Sequence, residues 1–136
     1  MKYLVITASL FGLAACGGAE LSSADLCSQM IEGDTETAED MARDGVTPAS
    51  MCACVGATID ALPEAEKATH VAVMSAVLTL RQSGKYGVEY AAEALEEELR
   101  TDSGGHAFKE ADFQKTGRLL NDIGNQLEDG GTCEAG

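Results

Sequence analysis

The chain has 136 residues and carries 23 Asp and Glu against 9 Lys and Arg, a formal charge of −14 at neutral pH. That balance argues against nucleic acid or anionic phospholipid as a surface partner, and favours solubility, self-repulsion or a basic protein partner. Aromatic residues are 4% of the chain and Trp is absent, so a core has to come from Val, Leu, Ile, Met and Ala and gains from covalent staples.

At the N-terminus, Lys2 precedes thirteen mostly apolar residues, Tyr3 to Ala15. A membrane-spanning helix needs roughly twenty. Lys2 is a minimal positive region, Leu4-Val5-Ile6 and Leu10-Phe11-Gly12-Leu13 form an apolar core, and Ala14-Ala15 are the small residues a signal peptidase requires. Leu13-Ala14-Ala15-Cys16 then resembles the lipobox of bacterial lipoproteins. The resemblance covers the first sixteen residues. It implies cleavage before Cys16, a diacylglycerol thioether on Cys16 and usually a third acyl chain on its amino group, enough for lasting membrane attachment. Gly17 stands where some bacteria use Asp to retain lipoproteins at the inner membrane, so the resemblance points to the outer membrane, facing the periplasm. The expected organisation is a removed leader over 1–15, a lipidated tether over 16–21 and a domain over 22–136. Losing Lys2 leaves 8 basic against 23 acidic residues, a charge of −15.

Through the domain the apolar spacing is helical and no alternating strand pattern occurs, so the expected class is all-α, a small bundle of about five helices. Ser22 or Ser23 caps a first short helix with Leu26, Cys27, Met30 and Ile31 on one side and Asp25 in its first turn, and Gly33 stops it. Asp34 to Asp44, with five acids and one Arg, reads as a solvated, mobile connector with at most a helical stretch around Ala38-Met41-Ala42. Thr47-Pro48 is a start signal for a helix to about Leu62, with Met51, Val55, Ile59 and Leu62 in one stripe and Cys52 and Cys54 at its two margins. Pro63 breaks the chain. A third helix runs to about Ser83, with Gly84 as its stop, and is apolar around most of Val71 to Leu80, as expected of the central helix. A fourth covers about Tyr86 to Arg100, burying Val88, Ala91, Ala92, Leu95 and Leu99, with Glu93, Glu96, Glu97 and Glu98 mostly outside. A fifth covers about Ala107 to Glu128, presenting Phe108, Ala111, Leu119, Leu120, Ile123 and Leu127.

With Cys16 assigned to lipid, Cys27, Cys52, Cys54 and Cys133 remain, an even number in an oxidising compartment, so two disulfides are expected. Residues two apart in a helix point about 200° apart, which disfavours a Cys52–Cys54 bond. Two pairings stay open: Cys27–Cys54 with Cys52–Cys133, or Cys27–Cys52 with Cys54–Cys133. Either ties the helix after Pro48 to the first helix and to the C-terminal tail.

No catalytic residue, cofactor site or metal site is expected. Cys52-Ala53-Cys54 lacks the spacing and strand context of a thioredoxin-like pair, and the cysteines with His70 or His106 lack zinc-ligand spacing. His70 follows Glu66 by four residues and reads as a surface pair, and His106 as loop or first turn. The acids of 34–44 do not follow the order of a calcium loop and support only diffuse cation attraction. No Gly-x-Ser-x-Gly elbow or phosphate loop is present. The lipobox with Cys27, Cys52-Ala53-Cys54 and Cys133 is loosely similar to small, cysteine-stapled helical envelope proteins of Gram-negative bacteria, which implies a helical fold and no particular mechanism. The expectation is a membrane-anchored, non-enzymatic structural or protein-interaction module. The alternatives are an acidic inhibitor or immunity-type lipoprotein that binds a basic periplasmic hydrolase or toxin, and a thiol redox protein using Cys52 and Cys54.

Overall fold

A computed structural model describes residues 20–84 and 86–133. The leader and Cys16 lie outside the described residues. Ser22 is the residue that starts α1 (Ser23–Ile31): its hydroxyl oxygen accepts from the Asp25 N–H at 3.1 Å and donates to the Asp25 carboxylate at 2.6 Å. The chain leaves α1 through Gly33 at φ +75°, a left-handed turn that suits glycine. Arg81 reaches over from a later helix to donate to the carbonyls of Gln29, at 3.3 Å, and Glu32, so a cation sits at the negative end of α1.

The segment expected to be a mobile connector is instead a helix, α2 (Thr35–Arg43). Its ends explain why it forms despite its polar sequence. Asp34 caps the start, accepting from the Thr37 N–H at 3.1 Å and the Thr37 hydroxyl at 2.9 Å. At the other end Gly45, at φ +74°, donates to the Ala42 carbonyl, and the Val46 N–H returns to the Met41 carbonyl at 2.9 Å, a Schellman closure. No α2 residue is fully buried, although Val46 just beyond it is.

Four further helices follow: α3 (Pro48–Asp60), α4 (Glu64–Gly84), α5 (Val88–Arg100) and α6 (Glu110–Glu128). The regular elements among the described residues are therefore all helices, six of them where the spacing suggests five. Thr47 and Ser50 cap α3 reciprocally, each side chain accepting from the other's backbone N–H at 3.1 Å. The Pro63 carbonyl opens α4, accepting from Glu66 and Lys67. Two starts fall later than expected. Gly87 is extended, so α5 begins at Val88 and Tyr86 stays outside it. Lys109 is extended too, its N–H held by the Asp112 carboxylate at 2.9 Å, so α6 begins at Glu110. Phe108 is buried from the lead-in to α6 and not from the helix itself, and Ala111 is exposed.

α4 is the central helix, touching α1, α3, α5 and α6. Val73, Met74, Val77 and Leu78 enter the core from it, to meet Leu26 and Met30 of α1, Val55 and Ile59 of α3, Ala91 and Leu95 of α5, and Ile123 of α6. The most extensive pairing is α1 against α3. It depends on Gly56, where an added Cβ would sit 2.9 Å from the Ala24 Cβ, closer than two carbons pack.

Candidate functional site

The Cys52-Ala53-Cys54 segment lies within α3, so its two sulfurs leave the helix in different directions. Cys52 bonds Cys27 of α1, with 5.3 Å between Cα atoms, and Cys54 bonds Cys133 of the tail, with 5.2 Å. This is the second of the two pairings the sequence leaves open. Both α3 cysteines are buried, Cys52 at 3% and Cys54 at 1% exposure. The two sulfurs belong to separate bonds, and of the four bonded cysteines only Cys133 is less than fully buried.

His70 departs from its expected place on the surface. It is buried, and its Nδ1 lies 2.8 Å from the Thr116 Oγ1 of α6. The Thr116 hydroxyl donates its single proton to the Asp112 carbonyl at 2.9 Å, so it accepts from His70 and the imidazole proton sits on Nδ1. Burial, helped by Lys115, holds His70 below the usual histidine pKa against the opposing pull of Glu66 and Asp112. The physical reason for the miss is the line of the α4–α6 contact. It runs between Glu66 and His70, leaving Glu66 at the rim, where it accepts from Lys115 at 2.8 Å, and turning His70 inward. His106 stands in the loop before α6 as expected, with its Nε2 2.7 Å from the Glu98 carboxylate and its ring 5.1 Å from that of Phe108.

The acids expected to be a wet surface divide. Asp34 is buried and accepts from the Val88 N–H at 2.7 Å as well as from Thr37, so one carboxylate caps both α2 and α5. Burial works to raise its pKa, but the Val88 and Thr37 donors and the positive Arg81 outweigh it and hold the group below the usual carboxylate range. Gly87 lets the chain come this close, since a Cβ there would meet the Asp34 Oδ2 at 3.0 Å. On α5, Glu96 accepts from Gln114 and Glu97 pairs with Arg100, while Glu93 is exposed. Among the described residues no group of three or more His, Cys, Asp or Glu is placed to hold a metal ion, and no helix is long and apolar enough to cross a membrane.

An apolar groove of about 290 Å³ lies between α2 and the body of the bundle. Every methionine after Met1 lines it: Met30 from α1, Met41 from α2, Met51 from α3 and Met74 from α4. Leu120 and Gly124 of α6 complete the wall, and a Cβ on Gly124 would meet nothing within 4 Å. Asp40, Asp44 and Glu128 stand at the edge, all exposed. Asp40 pairs with its neighbour Arg43, whereas Asp44 and Glu128 form no ion pair among the described residues. Sequence reading misses this groove, because Met30, Met51 and Met74 each fit the buried side of their own helix and Met41 falls in the segment that reads as a solvated connector.

These elements define a disulfide-stapled, all-α domain with an apolar groove under one surface helix. No family model matches this chain, and no curated protein and no solved structure matches it either.

Proposed function

We propose that the chain is a lipid-anchored envelope protein, held at the membrane through Cys16, that works as a protein-interaction module and catalyses no reaction. The address rests on Leu13-Ala14-Ala15-Cys16 after a short apolar run, and two disulfides suit the oxidising side of a membrane. The observation that carries the binding role is the methionine-lined groove at the surface of an acidic domain. Its methionine, valine and leucine side chains offer apolar contact area.

Membrane fractionation tests the address. Cys16→Ser should move the protein from the membrane to the soluble fraction with its helical content unchanged. A Cys16→Ser chain that stays membrane-bound at normal size would overturn the anchor.

A second reading, an acidic inhibitor of a basic hydrolase or toxin, draws support from the surface charge, since most acids form no ion pair among the described residues. Affinity capture at low and high salt separates the two. The inhibitor reading requires one reproducible basic enzyme, lost at high salt and inhibited by the purified domain. The thiol redox reading gains nothing from a Cys52 and Cys54 that are bonded to different partners.

A further inference from the structure

We infer that the groove under α2 is a docking site for a cationic amphipathic helix of a partner protein. The inference rests on the protein-interaction reading above and is independent of the lipid anchor.

Its first support is the lining. Methionine is unbranched, with three rotatable bonds and a polarisable sulfur, so the half-buried Met41 and Met51, backed by the buried Met30 and Met74, can adapt to differing apolar side chains. A second is the space itself. Gly124 stands within α6 on the groove wall, where glycine costs a helix about 1 kcal/mol against alanine. No neighbour requires it, because a Cβ would project into open space. Its effect is to keep the groove unfilled between Leu120 and Glu128.

The third support is charge, which selects the occupant. Asp44 and Glu128, neither in an ion pair among the described residues, rim an apolar interior on a chain of charge −14, beside an Asp40 already paired with Arg43. An apolar stripe flanked by Lys or Arg satisfies both parts at once, with anchors in the groove and cations at the rim. A second copy of this chain brings the same negative charge and is repelled. The lid suits an entering helix, since α2 has no buried residue of its own and can shift while the disulfides hold the body.

The test uses the whole exported chain carrying Cys16→Ser, so that its own acyl chains cannot compete, with methionine methyl groups labelled for NMR. Three probes are titrated: a Leu/Lys peptide with all Leu on one helical face, the same composition shuffled so that no face is apolar, and dodecylamine. The segregated peptide should shift the methyl signals of Met30, Met41, Met51 and Met74 together, and bind about tenfold more weakly at high salt. Gly124→Leu should abolish those shifts with the melting temperature unchanged or raised. If Leu disturbs the fold, Gly124→Ala should weaken binding severalfold, and Asp44→Asn with Glu128→Gln should reduce the salt dependence. Equal binding by the shuffled peptide would mean charge alone and would overturn the groove. Methyl shifts with dodecylamine but not with the peptide would make it a small-amphiphile site and overturn the helix. Silence with all three probes would overturn the docking site, while the fractionation result for Cys16 would stand.

Discussion

α1 and α2 are both nine-residue helices, and the fold holds them in opposite ways. α1 is held by its face: Leu26, Cys27 and Met30 are buried, Ala24 lies against Gly56, and a disulfide joins it to α3. α2 is held by its ends, through Asp34 at the start and the Gly45-Val46 closure at the finish. A helix fixed by its face can leave only if the core opens. One fixed by its ends can lift or tilt while the core stays shut, and here the groove lies beneath it.

The largest effect should come from the face-held side. Cys27→Ser with Cys52→Ser opens a loop closed across 25 residues, and a chain-entropy account gives about 3.5 kcal/mol of lost stability, read by chemical denaturation. The loss should extend to every helix, since α1 packs on both α3 and α4. Next, Gly56→Leu forces α1 and α3 apart and should cost about 2 kcal/mol, with the disulfides still formed. A Gly56→Leu protein as stable as the parent would mean that α1 is held by its disulfide alone.

On the end-held side, Asp34→Ala removes a cap from two helices and leaves the Val88 N–H unpaired, for a loss of about 1–2 kcal/mol. Hydrogen exchange should show Thr37 and Val88 deprotected while Val55 and Val77 keep their protection. Acid should act the same way. Because the folded Asp34 pKa lies below the unfolded one, near 3.8, its contribution is present above that value and lost as pH falls through the folded value.

The mildest effect should be a pH slope from His70. Its folded pKa lies below the unfolded value near 6.5, so the unfolded chain binds the extra proton and stability declines as pH falls below that value. His70→Gln, which can still donate to Thr116, should flatten the slope between pH 7.5 and 5.5 in thermal melts. An unchanged slope would exclude His70 as its source.

Much of the face-held half is legible in the sequence, because its signals are local. Ser22 and Thr47-Pro48 announce helix starts, Gly33 and Pro63 announce breaks, and the margins occupied by Cys52 and Cys54 limit the pairings to two. The end-held half is not legible, since its decisive contact joins Asp34 to a backbone group 54 residues away. From spacing alone, a run of five acids reads as a solvated strip, and the partner that buries the first of them leaves no mark near it. His70 eludes the same reading: its four-residue spacing from Glu66 is correct, but the side on which α6 would settle is not written in α4. The groove is the least legible, because its four methionines come from four helices and share no motif.

The bond between Cys54 and Cys133 spans 79 positions, almost the whole remaining length of the domain. The bond between Cys27 and Cys52 needs only the first 52 residues of the chain. Cys54 has to wait for the tail. A chain that ends between residues 54 and 133 carries Cys54 of α3 without its partner. The second staple can therefore close only on a molecule that carries every helix the groove requires.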